Sequence, residues 1–268
     1  MRILRVIFNA AIVVSTAAAG LVTATAAHAA GEVNYVALGD SYSSGVGAGD
    51  YISSSGSCDR STLAYPEQWA GVNAPGSFVS VACSGATTAD VLSSQVSALS
   101  ASTKLVSITI GGNDAGFSSV METCVFLPTR LCLNAVAAAE SFIATQLPGR
   151  LDQTLQAIAA DAPNATIVVL DYPDLYDLSK SRTCIGLSTS DRTALDQGAD
   201  ELDGAIQAAA LANGDTFADV RGQFAGHEIC DSNSWLHAVD IFALSSSYHP
   251  TAAGQDQGYL PVFTGAAD

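Results

Sequence analysis

Thr166–Leu170 reads TIVVL, an apolar run of strand length with no alternation. A strand wetted on one side alternates polar and apolar residues. A continuous run belongs to a strand buried on both faces, as in parallel sheets covered by helices. Four other stretches read as strands: Gly31–Leu38, Ser77–Ala82, Lys104–Ile110 and a short one near Thr216–Val220. Helical spacing lies between them. Leu147–Asp161 carries Leu151, Leu155 and Ile158 on one face. Asp191–Ala212 carries Leu195, Ala199, Leu202, Ile206 and Ala209, and Asn213-Gly214 ends it. Tyr65–Ala70, a capped segment from Thr87 to about Ser100, Ala135–Thr145 and a stretch after His249-Pro250-Thr251 complete the helices. Val120–Leu133 reads as irregular, Asp171–Leu187 as a long loop and Arg221–Ser247 as loop-rich. Alternating strands and helices predict an α/β fold, a three-layer sandwich around a mainly parallel five-stranded sheet.

The first 30 of the 268 residues have the parts of a secretory signal peptide. Arg2 and Arg5 precede an apolar run to about Val22, and Ala27-His28-Ala29 offers small residues around a cleavage point near Ala29 or Ala30. The alternative, a membrane anchor, is disfavoured by Asn9, Ser15 and Thr16, which leave the run short of the ~20 residues a span needs. Residues 31–268 are then expected to form one secreted, monomeric domain with no stable membrane anchor. The chain carries a net charge of −16, and loss of Arg2 and Arg5 brings it near −18. Such a field repels polyphosphates, so nucleic acid is not an expected partner and a neutral substrate is. Six cysteines, Cys58, Cys83, Cys124, Cys132, Cys184 and Cys230, suggest an oxidising compartment. None shows C-x-x-C spacing, which argues against zinc or a redox pair, and their pairing is open from spacing alone. Asp171, Asp174 and Asp177 recur without a calcium-loop pattern and read as solvated loop acids. No metal or cofactor is expected.

The chemistry concentrates where strands end. In VALGDSYSSGVGAGD, Val36–Leu38 closes the first strand, Gly39 permits a tight turn, and Ser41 opens a helix. There its hydroxyl is presented beside helix N–H groups that favour developing negative charge; on this stretch alone a helix cap is an equally good reading. Gly85 follows the second strand and Asn113 the third. In a parallel sheet ligands bind beyond the carboxyl ends of the strands, so these three residues converge on one edge. A serine nucleophile needs a base. His28 leaves with the leader, and His227 and His237 read as structural or surface residues. His249, before a proline at a loop-to-helix junction, remains.

Gly39-Asp40-Ser41, Gly85 within CSGATTAD, Gly111-Gly112-Asn113-Asp114 and His249-Pro250, in this order, resemble the four blocks of the GDSL, or SGNH, hydrolase family. The resemblance spans nearly the whole mature chain and implies the flavodoxin-like fold of that family. It implies that Ser41 attacks an ester carbonyl and that His249 takes and returns the proton. The oxyanion is then held by the backbone N–H groups of Ser41 and Gly85 and by the Asn113 amide. Asp40 and Asp114 are expected to serve as turn and hydrogen-bonding residues. The cysteines resemble those of secreted actinobacterial lipases and esterases of the family, which implies the pairs 58–83, 124–132 and 184–230. In one place the chain departs from the pattern: the aspartate usual three residues before the histidine is Ser246. A Ser–His dyad is therefore expected, with the Ser246 carbonyl orienting the ring, and Asp240 as a substitute.

The expected function is that of a secreted carboxylic-ester hydrolase acting through an acyl-enzyme on small-molecule or lipid esters. A carbohydrate O-acetylesterase and a non-catalytic binding protein on the same scaffold are the alternatives. An α/β-hydrolase elbow, G-x-S-x-G, is not matched, since Gly39-Asp40-Ser41-Tyr42-Ser43 ends in serine.

Overall fold

A computed structural model describes residues 33–180, 184 and 186–268. The signal-peptide segment and its cleavage point lie outside the described residues. Five strands, β1 (Asn34–Gly39), β2 (Ser77–Ser80), β3 (Leu105–Thr109), β4 (Thr166–Leu170) and β5 (Thr216–Ala218), form one sheet in the order β2-β1-β3-β4-β5. Every pairing is parallel. The chain leaves β1 for β2 on one side and returns to β3 on the other. The carboxyl ends of β1 and β3 therefore flank the crevice where the winding reverses, the position at which such sheets bind ligands.

The described residues form nine α-helical segments. They are α1 (Ser41–Ser44), α2 (Tyr65–Asn73), α3 (Thr88–Asp90), α4 (Phe117–Phe126), α5 (Thr129–Thr145), α6 (Leu147–Asp161), α7 (Thr189–Asn213), α8 (Arg221–Phe224) and α9 (Leu260–Ala267). Helices α2 and α9 cover one face of the sheet, where Trp69 and Phe263 close on the Tyr35 ring. Helices α4 to α7 pack together over the other. Strand β4 and helix α6 occupy the residues their apolar spacing predicts, and Leu147, Leu151, Leu155 and Ile158 are all buried. Capping boxes start α3 (Thr87 with Asp90) and α7 (Ser188 with Asp191), and Gly214 at φ +79° ends α7.

Three expectations are corrected. Val120–Leu133 is not irregular: it lies within α4 and α5, which break at Pro128, and the Cys124–Cys132 disulfide clamps the two helices across that break. The helix expected from Thr87 to Ser100 is α-helical only over three residues, then widens to a π-turn over Val91–Gln95 and tightens over Val96–Ala98. That bulge turns the buried Gln95 amide onto β1, where it accepts from Gly39 N–H (2.7 Å) and donates to Gly39 C=O (2.9 Å). Asp171 is not solvated. It is fully buried, accepts the Val220 N–H (2.8 Å), and lies beside buried Asp203 under the Arg221 guanidinium.

This acidic pair has a stability consequence. Burial pushes both carboxyls above the ordinary range, and Asp171's charge pushes Asp203 further. Arg221 Nε lies 3.6 Å from Asp171 and 3.8 Å from Asp203, too far for good hydrogen bonds. The folded chain therefore keeps protons that the unfolded chain releases near pH ~4. That contribution is complete below the unfolded pKa and is lost as pH rises through the folded values. Asp203→Asn keeps an oxygen for the Tyr172 N–H (3.2 Å) and removes the charge. It is expected to raise Tm at pH 8 by about 2–4 °C, the effect of roughly 1 kcal/mol in a domain of this size. The gain should vanish toward pH 4 in scanning calorimetry.

Candidate active site

The turn after β1 is fixed by close packing. Gly39 has φ +118°, and a Cβ there would stand 2.4 Å from the Thr109 carbonyl oxygen, so only glycine fits. Asp40 N-caps α1 by accepting from Tyr42 N–H (3.0 Å), and it also accepts from Thr109 Oγ1–H (2.7 Å) and from the Tyr172 hydroxyl. Burial pushes Asp40 up to about 6 against these bonds. Ser43 Oγ meets Thr109 Oγ1 (2.9 Å) and Tyr65 OH (3.0 Å). The start of α1 is thus tied to the end of β3 and to α2, and Ser41 has no room to drift.

His249 arrives from the far end of the chain. Tyr248, just before it, sits in the left-handed region at φ +65°, a conformation that costs a non-glycine residue free energy. Four bonds hold it there. Its N–H donates to His237 C=O (2.8 Å) and its C=O accepts the Tyr42 hydroxyl (2.6 Å). Its hydroxyl meets Tyr176 OH (2.8 Å), and His237 N–H closes the ladder onto His249 C=O (3.0 Å). His249 Nε2 then lies 2.7 Å from Ser41 Oγ, and Nδ1 lies 3.0 Å from the Ser247 carbonyl oxygen. A carbonyl only accepts, so Nδ1 carries the proton and Nε2 offers its lone pair to the serine. Packing lowers the imidazole to about 4, so it is neutral at physiological pH.

The orienting carbonyl is that of Ser247, not Ser246. Ser246 ends a 3-10 turn over Leu244–Ser246, and its carbonyl is taken by the His249 N–H (3.2 Å). The next residue is extended (φ −58°, ψ 137°), and its carbonyl faces the ring. The Asp240 carboxylate caps Phe242 N–H (2.8 Å), and its backbone N–H donates to Ser247 Oγ (2.9 Å), so it bears on the ring only through the Ser247 loop. His237 bonds Gly47 C=O (2.8 Å) and His227 stacks on Trp235 at 3.7 Å, both structural positions.

Ser41, Gly85, Asn113 and His249 all line one open cleft. Gly85 has φ +79° and free space where a side chain would project. Asn113 donates one amide hydrogen to Ala86 C=O (3.0 Å), which fixes the amide plane and leaves the second hydrogen uncommitted by that bond. Asp114 accepts from Thr88 N–H (2.8 Å) and Thr88 Oγ1–H (2.6 Å), tying the loop after β3 to α3. A second, apolar chamber of about 80 Å³ opens from Ser41 inward between α4, α5 and α7, past Phe117, Met121, Ala139, Gly198 and Leu202. Among the described residues no group of three or more His, Cys, Asp or Glu side chains is placed to hold a metal ion. The pairs Cys58–Cys83, Cys124–Cys132 and Cys184–Cys230 are formed.

The parallel three-layer sandwich, with a serine bonded to an imidazole at the β1/β3 crevice, places the chain among the ester hydrolases built on this fold. More narrowly, the chain belongs to the GDSL-like lipase/acylhydrolase family, whose profile matches residues 37–257. It is 53% identical to Lipase 1 of Streptomyces coelicolor, over 97% of each chain. Among solved structures, a phospholipase A1 from Streptomyces albidoflavus is 52% identical, with a TM-score of 0.86 over 89% of this chain and 100% of that one. An extracellular lipase from Streptomyces rimosus is 50% identical, with a TM-score of 0.85 over 87% and 99%.

Two measurements bear on the histidine. A base must be neutral to act, so kcat/KM should fall on the acid side with a midpoint near 4, where packing has moved the imidazole. A midpoint at the ordinary 6.5 would show a solvated ring. Asp240→Asn should retain kcat within about threefold, since the carboxylate's bond to Phe242 has an acceptor in asparagine as well. A fall of 10³-fold or more, the order seen when a triad carboxylate is lost, would transfer the orienting role to Asp240.

Proposed function

We propose that this chain is a secreted, monomeric lipase or esterase that uses Ser41 and His249 as a catalytic dyad. The observation carrying the reading is the Ser41–His249 contact at 2.7 Å, with the other ring nitrogen committed to a backbone carbonyl. His249 Nε2 takes the Ser41 proton as Oγ attacks the ester carbonyl carbon. The carbonyl oxygen becomes an oxyanion, and the N–H groups of Ser41 and Gly85 and the free amide hydrogen of Asn113 are its donors. Each such donor is worth about 10²–10³-fold in rate. Collapse breaks the C–O bond to the alcohol, which leaves with the proton from His249. Water, deprotonated by the same nitrogen, then releases the acid from Ser41.

The apolar chamber supports an acyl chain longer than acetyl, and so favours the lipase or esterase reading over a carbohydrate O-acetylesterase. Secretion is supported by the leader-like segment, with cleavage near Ala29 or Ala30, by three disulfides, and by the extracellular relative in Streptomyces rimosus.

The test is ester hydrolysis across acyl lengths from acetyl to palmitoyl. Ser41→Ala should abolish turnover and labelling by a serine-directed fluorophosphonate while the fold melts as before. Gly198→Leu places a branched side chain on the chamber wall beside Val136. It should leave acetyl esters nearly untouched and lower kcat/KM on long-chain esters by about tenfold for every two methylenes shut out. A uniform loss at all lengths would place the acyl chain elsewhere.

A further inference from the structure

The open cleft at Ser41 and His249 is rimmed by large apolar side chains that point into solvent. On one bank Phe126 and Leu127, where α4 ends, are 57% and 49% exposed. On the other, the loop before His249 carries Ile241, Phe242 and Leu244 at 61%, 94% and 48%. Phe126 and Leu244 also line the cleft, so the rim and the site form one surface. Nothing in the fold asks for this exposure. Ile241 and Phe242 top a turn closed by backbone bonds, Ala243 N–H to Asp240 C=O (3.0 Å) and Ser246 N–H to Ala243 C=O (3.1 Å). A phenylalanine left almost wholly in water beside an active-site mouth marks an interaction surface.

We propose that this two-banked rim docks the enzyme on an uncharged or zwitterionic lipid surface, so that an ester passes from the lipid into the cleft without crossing water. Two observations select this occupant. The rim is continuous with a cleft whose inner chamber is apolar, so a chain leaving the lipid stays in apolar surroundings. The charge pattern disfavours an anionic surface: Glu122 lines the cleft, Asp240 stands at the base of the turn, and the chain as a whole carries a net charge of −16. Among the described residues that line the cleft there is no lysine or arginine, whereas proteins that bind anionic lipid usually present a polybasic face. Partition then rests on buried apolar area. The proposal rests on the ester-hydrolase reading for what is hydrolysed, but not for whether the protein binds.

The experiment uses the mature chain carrying Ser41→Ala, which cannot consume the lipid, in sedimentation with phosphatidylcholine vesicles. Binding is expected, and Ile241→Ser with Phe242→Ser together should weaken it by about tenfold or more. Replacing part of the phosphatidylcholine with phosphatidylglycerol should weaken it as well. In the Ser41 background the same double substitution should leave hydrolysis of a soluble acetyl ester below its critical micelle concentration unchanged. It should slow hydrolysis of the same protein's vesicle-borne ester. Failure of acetyl-ester hydrolysis in both forms overturns the catalytic reading and leaves the vesicle result standing. Vesicle binding that is absent, insensitive to the double substitution, or strengthened by phosphatidylglycerol overturns the docking proposal. So does a concentration-dependent dimer in analytical ultracentrifugation that the double substitution abolishes, since the rim would then be a contact between two copies.

Discussion

At the carboxyl end of β1 the main chain runs so close to Thr109 that the peptides of two neighbouring strands share the space of one side chain. The site is built outward from that joint. Asp40 is buried there and raised to about 6, so its charged form is held only by the hydroxyls and N–H groups aimed at it. Those donors come from α1, β3 and the loop after β4, at Tyr42, Thr109 and Tyr172. One desolvated carboxylate therefore fixes three segments against one another. Two buried glutamines complete the frame. Gln95 binds both peptide groups of Gly39, and Gln255 accepts from Tyr65 N–H (2.9 Å) and donates to Tyr42 C=O (3.0 Å). Each sits in a π-turn, the local widening that turns a helical side chain off its regular face.

The histidine side of the site is held differently. No strand or long helix carries His249. It stands on a loop whose left-handed Tyr248 is kept in place by tyrosine hydroxyls and by a short backbone ladder to His237. The cost of that conformation is met by contacts from Tyr42 in α1 and Tyr176 in the loop after β4. Because Tyr42 follows Ser41 directly, the helix that presents Ser41 also grips the residue that precedes His249. The Ser41–His249 distance is thus a property of one junction, and a shift of either half carries the other with it.

What was legible in the sequence follows from the range of the interaction involved. Strand β4 and helix α6 are written in local apolar spacing, and the chain follows it to the residue. Ser41, Gly85 and Asn113 could be placed together because parallel topology brings strand ends to one edge, whatever the details of packing, and His249 joined them through the His-Pro block of the family it resembles. Helix α4 escaped because its buried stripe, Met121 and Cys124, is thin and its partner helix is joined to it covalently. The Ser247 carbonyl was missed by one position because backbone direction in a loop is set by a 3-10 turn that leaves no mark in residue type. Asp171 looked like a solvated loop acid, since a carboxylate carries no local sign that Arg221 and a covering tyrosine will enclose it. Tyr248 before the histidine was in plain view, but a positive φ is not visible in a side chain.

The disulfides bring these strands of argument together. The candidate site residues sit at the start of the short α1 and on loops and turns beyond the sheet's carboxyl edge, where few backbone bonds resist opening. Cys58–Cys83 ties the long loop after α1 to the end of the segment that delivers Gly85. Cys124–Cys132 closes the wall of the apolar chamber between α4 and α5. Cys184–Cys230 links the loop after β4, which carries Tyr172 and Tyr176, to the segment that leads to His237 and His249. The links span 25, 8 and 46 residues. In the chain-entropy account the restriction of the unfolded state grows with the loop closed. The longest closure therefore falls on the segment that leads to His249. A buried acidic pair that weakens the fold at neutral pH can be tolerated when the loops of the site are restrained by bonds that do not titrate.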